Sequence, residues 1–224
     1  MEKQNDADFE SSELGTKQYW DDTYARELEA FGDVGDVGEI WFGEEVQDRM
    51  VRWLTKQEEV LVSSRILDLG CGNGMLLLAL REEGYENLVG VDYSEGAIQL
   101  AKQVAEKEEL QGVEFQVCDI LASTAVEGLC AGGKFDVCLD KGTYDAICLL
   151  RPEVTTDRDM YRQHVHAALR PGGLLLLTSC NWTKEQLTQH FEADFDLMDE
   201  LPAPKFTFGG QTGQTVTSLA FRKR

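Results

Sequence analysis

Apolar residues recur along this chain with two different periods. From Thr16 onward, Tyr19, Trp20, Tyr24 and Leu28 fall on one helical face. Val46, Met50, Trp53 and Leu54 predict a second amphipathic helix. The pattern then shortens. Arg65–Leu69, Asn87–Asp92, Val113–Val117, Phe135–Leu139 and Leu174–Thr178 are apolar runs of strand length. Helical stretches separate them. One follows Met75. One is capped by Ser94 and buries Ile98, Ala101 and Ala105. Asp157–Leu169 is a third, stopped by Arg170-Pro171-Gly172-Gly173. A short fourth starts at Thr183, with Gln186 completing a capping box. Phe195–Leu201 and Val216–Phe221 predict a closing antiparallel pair. Strands alternating with helices in this way predict an α/β fold, a mostly parallel sheet with helices on both faces.

The connections divide the chain. Residues 1–13 are polar and acidic and are expected to be disordered. Residues 14–224 make one domain, with 14–60 as N-terminal helices and a lid and 61–224 as the stranded core. Gly32–Gly38 is predicted to be a flexible loop leading into Ile40-Trp41-Phe42-Gly43, where bulky aromatics serve either as a lid or as packing anchors. The segment from Pro202 to Gly210 has a stiff start and a flexible, glycine-rich tip. No period of 20–50 residues marks a repeat protein.

The chemistry concentrates between the first two strands. Asp68-Leu69-Gly70-Cys71-Gly72-Asn73-Gly74 places three glycines on alternate positions where a strand turns into a helix. Such a turn needs positive φ and lets a ligand lie against bare backbone, beside the unpaired N–H groups of a helix start. Asp92 closes the second strand 22 residues beyond Gly70, the place where a nucleotide-binding βαβ unit puts an acid for two ribose hydroxyls. The third glycine comes one residue early for a dinucleotide fingerprint, and position 75 is Met. Asp119 follows the third strand, as a helix cap or turn former. Asp140 and Tyr144 follow the fourth, near any ligand at the carboxyl ends. Lys141 fits a surface position as well as a functional one.

Composition narrows the partners. The 224 residues carry a net charge of −20, with 42% hydrophobic residues. Through Glu45, 14 acids face Lys3, Lys17 and Arg26, a net of −11. This charge lacks the basic footprint of a nucleic-acid binder; it serves solubility or capture of a basic partner. Six cysteines show no C-x-x-C, and Cys118, Cys138 and Cys180 sit in strand-like runs that suggest buried thiols. His164 and His166, at i and i+2, are not a metal pair, and no metal is expected. No apolar run approaches membrane length, so the expected setting is the cytoplasm, with the nucleus as a second location.

Taken together, these motifs resemble the class I S-adenosylmethionine methyltransferases, and among them the eukaryotic elongation factor 1-alpha lysine methyltransferases. The carrying segments are Tyr19-Trp20-Asp21 with Tyr24, Gly38–Gly43, Asp68–Gly74, Leu139–Asp145, Thr178–Thr183 and Pro204–Gly210. The glycine motif is generic, whereas I-W-F-G, D-K-G-T and S-C-N-W-T are more specific. A D/N-P-P-Y/F motif is absent, replaced by Asp140-Lys141-Gly142-Thr143. The resemblance implies a Rossmann-like seven-stranded sheet, order 3-2-1-4-5-7-6, with strand 7 antiparallel. It implies S-adenosylmethionine as methyl donor, held by Trp41, Asp68, Gly70, Cys71, Gly72, Asn73, Gly74, Asp92, Tyr93, Ser94, Cys118, Asp119, Ile120 and Asp140, with Asp119 as an adenine contact. It implies Asp140, Tyr144 and Trp182 as the catalytic group, Asp140 positioning the amine, with Trp41, Phe42, Tyr144 and Trp182 as channel walls. The implied acceptor is a lysine of elongation factor 1-alpha, a basic protein, and the enzyme is expected to be a monomer without direct nucleic-acid or membrane contact. Two other functions fit the same fold: methyl transfer to a small amine, and a non-catalytic scaffold for a basic protein.

Overall fold

The computed structural model describes residues 10–152, 155–203, 205–208, 211–214 and 216–224, with 205–208 and 211–214 given by backbone alone. The strands are β1 (Arg65–Leu69), β2 (Asn87–Asp92), β3 (Val113–Val117), β4 (Phe135–Lys141), β5 (Leu169–Ser179), β6 (Phe195–Glu200), β7 (Lys205–Phe208), β8 (Gln211–Gln214) and β9 (Thr217–Lys223). The helices are α1 (Lys17–Val34), α2 (Glu44–Leu54), α3 (Met75–Glu82), α4 (Glu95–Lys107), α5 (Ala125–Leu129), α6 (Thr143–Leu150), α7 (Thr155–Ala168) and α8 (Lys184–Phe191). Seven strands form one sheet in the order β3-β2-β1-β4-β5-β9-β6, the expected order once β7 and β8 are set aside as a separate hairpin. Strands β1 to β5 run parallel, and β9 lies antiparallel between β5 and β6.

Alternation along each strand sends successive side chains to opposite faces, and both faces are covered. On one, Ile66, Val137, Leu139, Leu174 and Leu176 pack with Met50, Leu54, Leu77 and Ile98 from α2, α3 and α4. On the other, Leu67, Leu69, Cys138, Leu175 and Leu177 pack with Tyr144, Tyr161, Leu187 and Phe191 from α6, α7 and α8. Each such aliphatic side chain, buried, contributes about 1.5–3 kcal/mol. Parallel strands joined by helical crossovers leave their carboxyl ends on one edge, where loops are free to form a site.

Several boundaries differ from the sequence expectation. Ser12 and Glu13 are placed: the Ser12 N–H donates to the Leu149 carbonyl (3.0 Å), and Ser12 caps a helical turn at Glu13–Gly15. Helix α1 runs through Gly32 to Val34, and Gly35, in the left-handed region at φ +74°, stops it. The apolar packing of α1 outweighs the modest helix cost of one internal glycine. Strand β5 begins at Leu169, not Leu174, because the Arg170–Gly173 stretch is taken up where the β4–β5 register shifts. Part of the expected loop is the β7–β8 hairpin; Pro204, Gly209 and Gly210 lie outside the described residues. Of the thiols expected to be buried, only Cys138 is; Cys118 is half-buried and Cys180 exposed. No described helix is long and apolar enough to cross a membrane.

Candidate active site

A cavity of about 360 Å³ opens at the carboxyl ends of β1 to β5. Its first half is backbone-rich. Gly70, Cys71, Gly72 and Asn73 supply one wall, Asp92 and Tyr93 the end of β2, and Cys118, Asp119 and Ile120 the end of β3. Gly70 sits at φ +66°, and a Cβ there would lie 2.0 Å from the Thr143 hydroxyl, which donates to the Leu69 carbonyl at 2.6 Å. Only glycine meets both demands. Asp92 accepts from the backbone N–H groups of Gly72 (3.1 Å) and Ser94 (2.9 Å), so its carboxylate fixes the loop and faces the cavity. Burial pushes its pKa up to about 6, against the lowering effect of those two bonds. The Asp119 side chain accepts from the Leu121 N–H (2.9 Å) while it lines the cavity, so it is both turn former and wall. Ile120 is buttressed from behind by His164, whose Nδ1–H donates to its carbonyl at 2.6 Å.

The second half is assembled from distant segments. Trp41, Phe42, Lys141, Gly142, Thr143, Asp145, Cys180 and Asn181 line it, and Leu14, Gly15, Lys17, Trp20 and Tyr24 close over from the N-terminal side. Trp41 meets Trp20 edge-on with centroids 4.8 Å apart. Phe42 occupies the left-handed region at φ +65°, a cost of about 1–2 kcal/mol for a non-glycine residue, and its ring rests against Gly142. The Lys141 ammonium donates to the Trp41 carbonyl (2.9 Å), and Asn73 Nδ2 donates to the carbonyls of Val37 (3.0 Å) and Glu39 (3.2 Å). The aromatic loop is thus tied to both halves, combining the lid and anchor roles. Lys141 is no free surface residue; burial lowers its pKa, with Asp68 opposing. Gly15 packs so closely on α6 that an added Cβ would lie 2.2 Å from the Leu150 nitrogen, which seats the N-terminal strap.

Six of the expected contact residues stand behind the cavity wall instead of in it. Asp140 is wholly buried. It accepts from the N–H groups of Thr143 (2.9 Å) and Tyr144 (3.0 Å) and from the Tyr161 hydroxyl. It therefore caps α6 and is not an amine-positioning group at a solvent-reaching cleft. Burial pushes its pKa up to about 7. Tyr144 points away, its hydroxyl 2.9 Å from His190 Nδ1, and Trp182 packs on the same imidazole at 4.6 Å. Asp68 lies buried beneath the loop, where burial raises its pKa and Lys141 opposes the rise. Gly74 turns into α3 against Phe115. Ser94 occupies the cap position of α4 without a side-chain cap bond. Trp41, Gly70, Cys71, Gly72, Asn73, Asp92, Tyr93, Cys118, Asp119 and Ile120 are brought together as expected.

Comparison with known proteins agrees with this geometry. A model of the methyltransferase domain matches residues 62–220. The chain is 48% identical to EEF1A lysine methyltransferase 2 of Danio rerio, over 96% of this chain and 90% of that one. It belongs to the eEF1A lysine methyltransferase family. The likeness reaches the fission yeast Schizosaccharomyces pombe, whose protein-lysine N-methyltransferase efm4 is 42% identical over 94% of each chain. The fold is also that of the N-methyltransferase NodS of Bradyrhizobium japonicum WM9, solved with S-adenosyl-L-homocysteine, at a TM-score of 0.65 and 18% identity over 91% of this chain and 98% of that one.

Within the eEF1A lysine methyltransferase frame, three parts of the site were missed in the sequence. Asp145 stands one residue beyond Tyr144 and turns into the cavity, its carboxylate bonded by the Ser179 hydroxyl (2.5 Å) and the Cys180 N–H (2.8 Å). Asn181 reaches the wall through the tight turn that Ser179 organises. The Leu14–Gly15 strap has no sequence signal, since its partner is the backbone of Leu150. For Asp145 a signal existed: neighbours on a helix differ by about 100° in direction, so Tyr144 and Asp145 could not both face the cavity.

Proposed function

We propose that this chain is a protein-lysine N-methyltransferase that uses S-adenosylmethionine to methylate eEF1A, working as a monomer in the cytoplasm. The observation that carries this is one cavity joining a half lined by the glycine loop, Asp92 and Asp119 to an aromatic and acidic half. The residues fit the donor. Asp92 is an acid at the end of β2 for ribose hydroxyls, the Gly70–Asn73 loop offers bare backbone, and Val91, Ile120 and Leu121 give apolar surface for a base. When bound, S-adenosylmethionine supplies an electrophilic methyl group on a sulfonium. The chain's own work is to hold an amine in line with that methyl group, roughly 3 Å away, with water excluded. A lysine with its usual pKa pays on the order of 4–5 kcal/mol to react as the neutral amine at pH 7. Trp41 and Phe42 reduce that cost by disfavouring the ammonium through desolvation.

Full-length similarity to enzymes named for eEF1A supports the protein acceptor, and the net charge of −20 suits a basic one. Incubation of the purified enzyme with labelled S-adenosylmethionine and eEF1A tests this directly. The expected result is label on an eEF1A lysine, located by mass spectrometry. Label confined to small amines, or no label with donor still bound, would replace this function with one of the two others.

A further inference from the structure

We propose that the Asp145 carboxylate receives the acceptor lysine's side-chain nitrogen and holds it against the donor half of the cavity. This rests on the methyltransferase function above and adds the residue that meets the amine. Four carboxylates stand on the acceptor side. Glu39, exposed at the mouth, lies near the Lys141 ammonium. Asp140 is spent on α6 and Tyr161, behind the wall. Asp157, at the rim, is paired with Arg151 at 2.8 Å. Asp145 lines the cavity, yet only 4% of it is exposed. The groups that face its carboxylate, the Ser179 hydroxyl, the Cys180 N–H and thiol and the Asn181 N–H, are all neutral. A buried carboxylate held only by neutral donors is costly unless a cation meets it. The incoming lysine brings that cation.

The geometry is also rigid. Asp145 sits in the first turn of α6, and Ser179 ends β5. The Ser179 oxygen in turn accepts from the N–H groups of Asn181 and Trp182, both at 3.1 Å. Ser179 therefore fixes the aspartate and the turn beside it together. Trp41 and Phe42 line the same cavity and supply its apolar wall.

The step balances without a covalent enzyme species. The bound ammonium first loses one proton to water. The freed nitrogen lone pair forms the new N–C bond as the C–S bond breaks, its electron pair passing to sulfur. Asp145 accepts hydrogen bonds from the remaining N–H groups and keeps its charge throughout. The methylated ammonium product carries the positive charge that sulfur gave up.

The experiment compares wild type, Asp145→Asn and Ser179→Ala with eEF1A as substrate and S-adenosylmethionine as donor. Asp145→Asn is expected to lower kcat/KM for eEF1A by at least about tenfold, with donor affinity within about twofold of wild type. Ser179→Ala keeps the charge and should lose less. A second readout needs no variant: binding of intact eEF1A against eEF1A whose methylated lysine is replaced by Met. Wild type should prefer the lysine form, and Asp145→Asn should lose the preference. Equal binding of the two forms by wild type, a normal rate in Asp145→Asn, or equal losses in both variants with donor affinity falling alongside would each overturn the proposal. Unlabelled eEF1A with wild-type enzyme would overturn the eEF1A acceptor and this assignment with it.

Discussion

The two halves of the cavity are built in different ways. The donor half is made of consecutive residues at the ends of three neighbouring strands, and much of its surface is main chain: Gly70 to Asn73, Asp92 and Tyr93, Cys118 to Ile120. The acceptor half draws on the N-terminal strap, the Trp41–Phe42 loop, the start of α6 and the turn after β5. A backbone site is fixed by φ, ψ and strand order, so its residue types are constrained wherever the fold occurs. A side-chain site is fixed by which way individual residues point, and it can change substrate without changing the fold. The first half should therefore be brittle to small substitutions, and the second sensitive mainly in rate and specificity.

The comparison breaks most sharply at Gly70. Replacing it with Ala adds a methyl that meets Thr143 at 2.0 Å in a left-handed conformation. The expected loss is about 2–5 kcal/mol, divided between fold stability and donor affinity. Calorimetry with S-adenosylmethionine and a melting curve would read it; unchanged values in both would show the loop is not rigid. Asp92→Ala comes next. It removes a charged acceptor from the donor and from Gly72 and Ser94, and donor binding should weaken by about 1.5–3 kcal/mol. Asp140→Asn tests the boundary between site and scaffold. One oxygen must serve donors that now share two, so stability should fall by about 1–3 kcal/mol, or about 2–10 °C in Tm. Turnover per folded molecule should stay near wild type, and a specific loss of turnover with an unchanged Tm would return Asp140 to the site.

The smallest effect is pH dependence. Burial raises Asp92 to about 6 and Asp140 to about 7, while in the unfolded chain both ionise near 4. Between those values the native state holds protons the unfolded chain has released. Stability from these two groups is thus complete below about pH 4 and is lost as pH rises through about 6 for Asp92 and about 7 for Asp140. The ligand-free protein should melt higher at pH 5 than at pH 8, and Asp140→Asn should flatten the upper part of that slope. A flat profile from pH 5 to pH 8 would mean both carboxylates are ionised and well solvated in the native state.

The sheet order and the donor loop were legible because their signals are local. Apolar runs mark strands, and Gly70, Gly72 and Asp92 have main-chain tasks that few other residues perform. Asp140 was misread although strand alternation carried the information: Cys138 faces α6 and α7, Leu139 faces the other side, and Asp140 returns to the first. Trp182 looked like a channel wall for its aromaticity, yet it packs against His190 and Tyr144. Gly15 and the Lys141–Trp41 link could not be read at all, since their partners lie about 100 or more positions away in the chain.

The placement of β9 also bears on how the molecule comes together during synthesis. It is the last strand in the sequence and yet an interior one, bonded to β5 on one side and β6 on the other. Strands β1 to β5 can assemble as they emerge, since each parallel partner is already present or follows within one crossover. β6 has no neighbour in the growing sheet until the chain has passed through the hairpin and folded back. The nascent domain therefore carries an open edge at β5 until β9 arrives, and a ribosome pausing between Glu200 and Thr217 would prolong the exposure of the unpaired main-chain groups of Leu174–Ser179 to chaperones or to other chains.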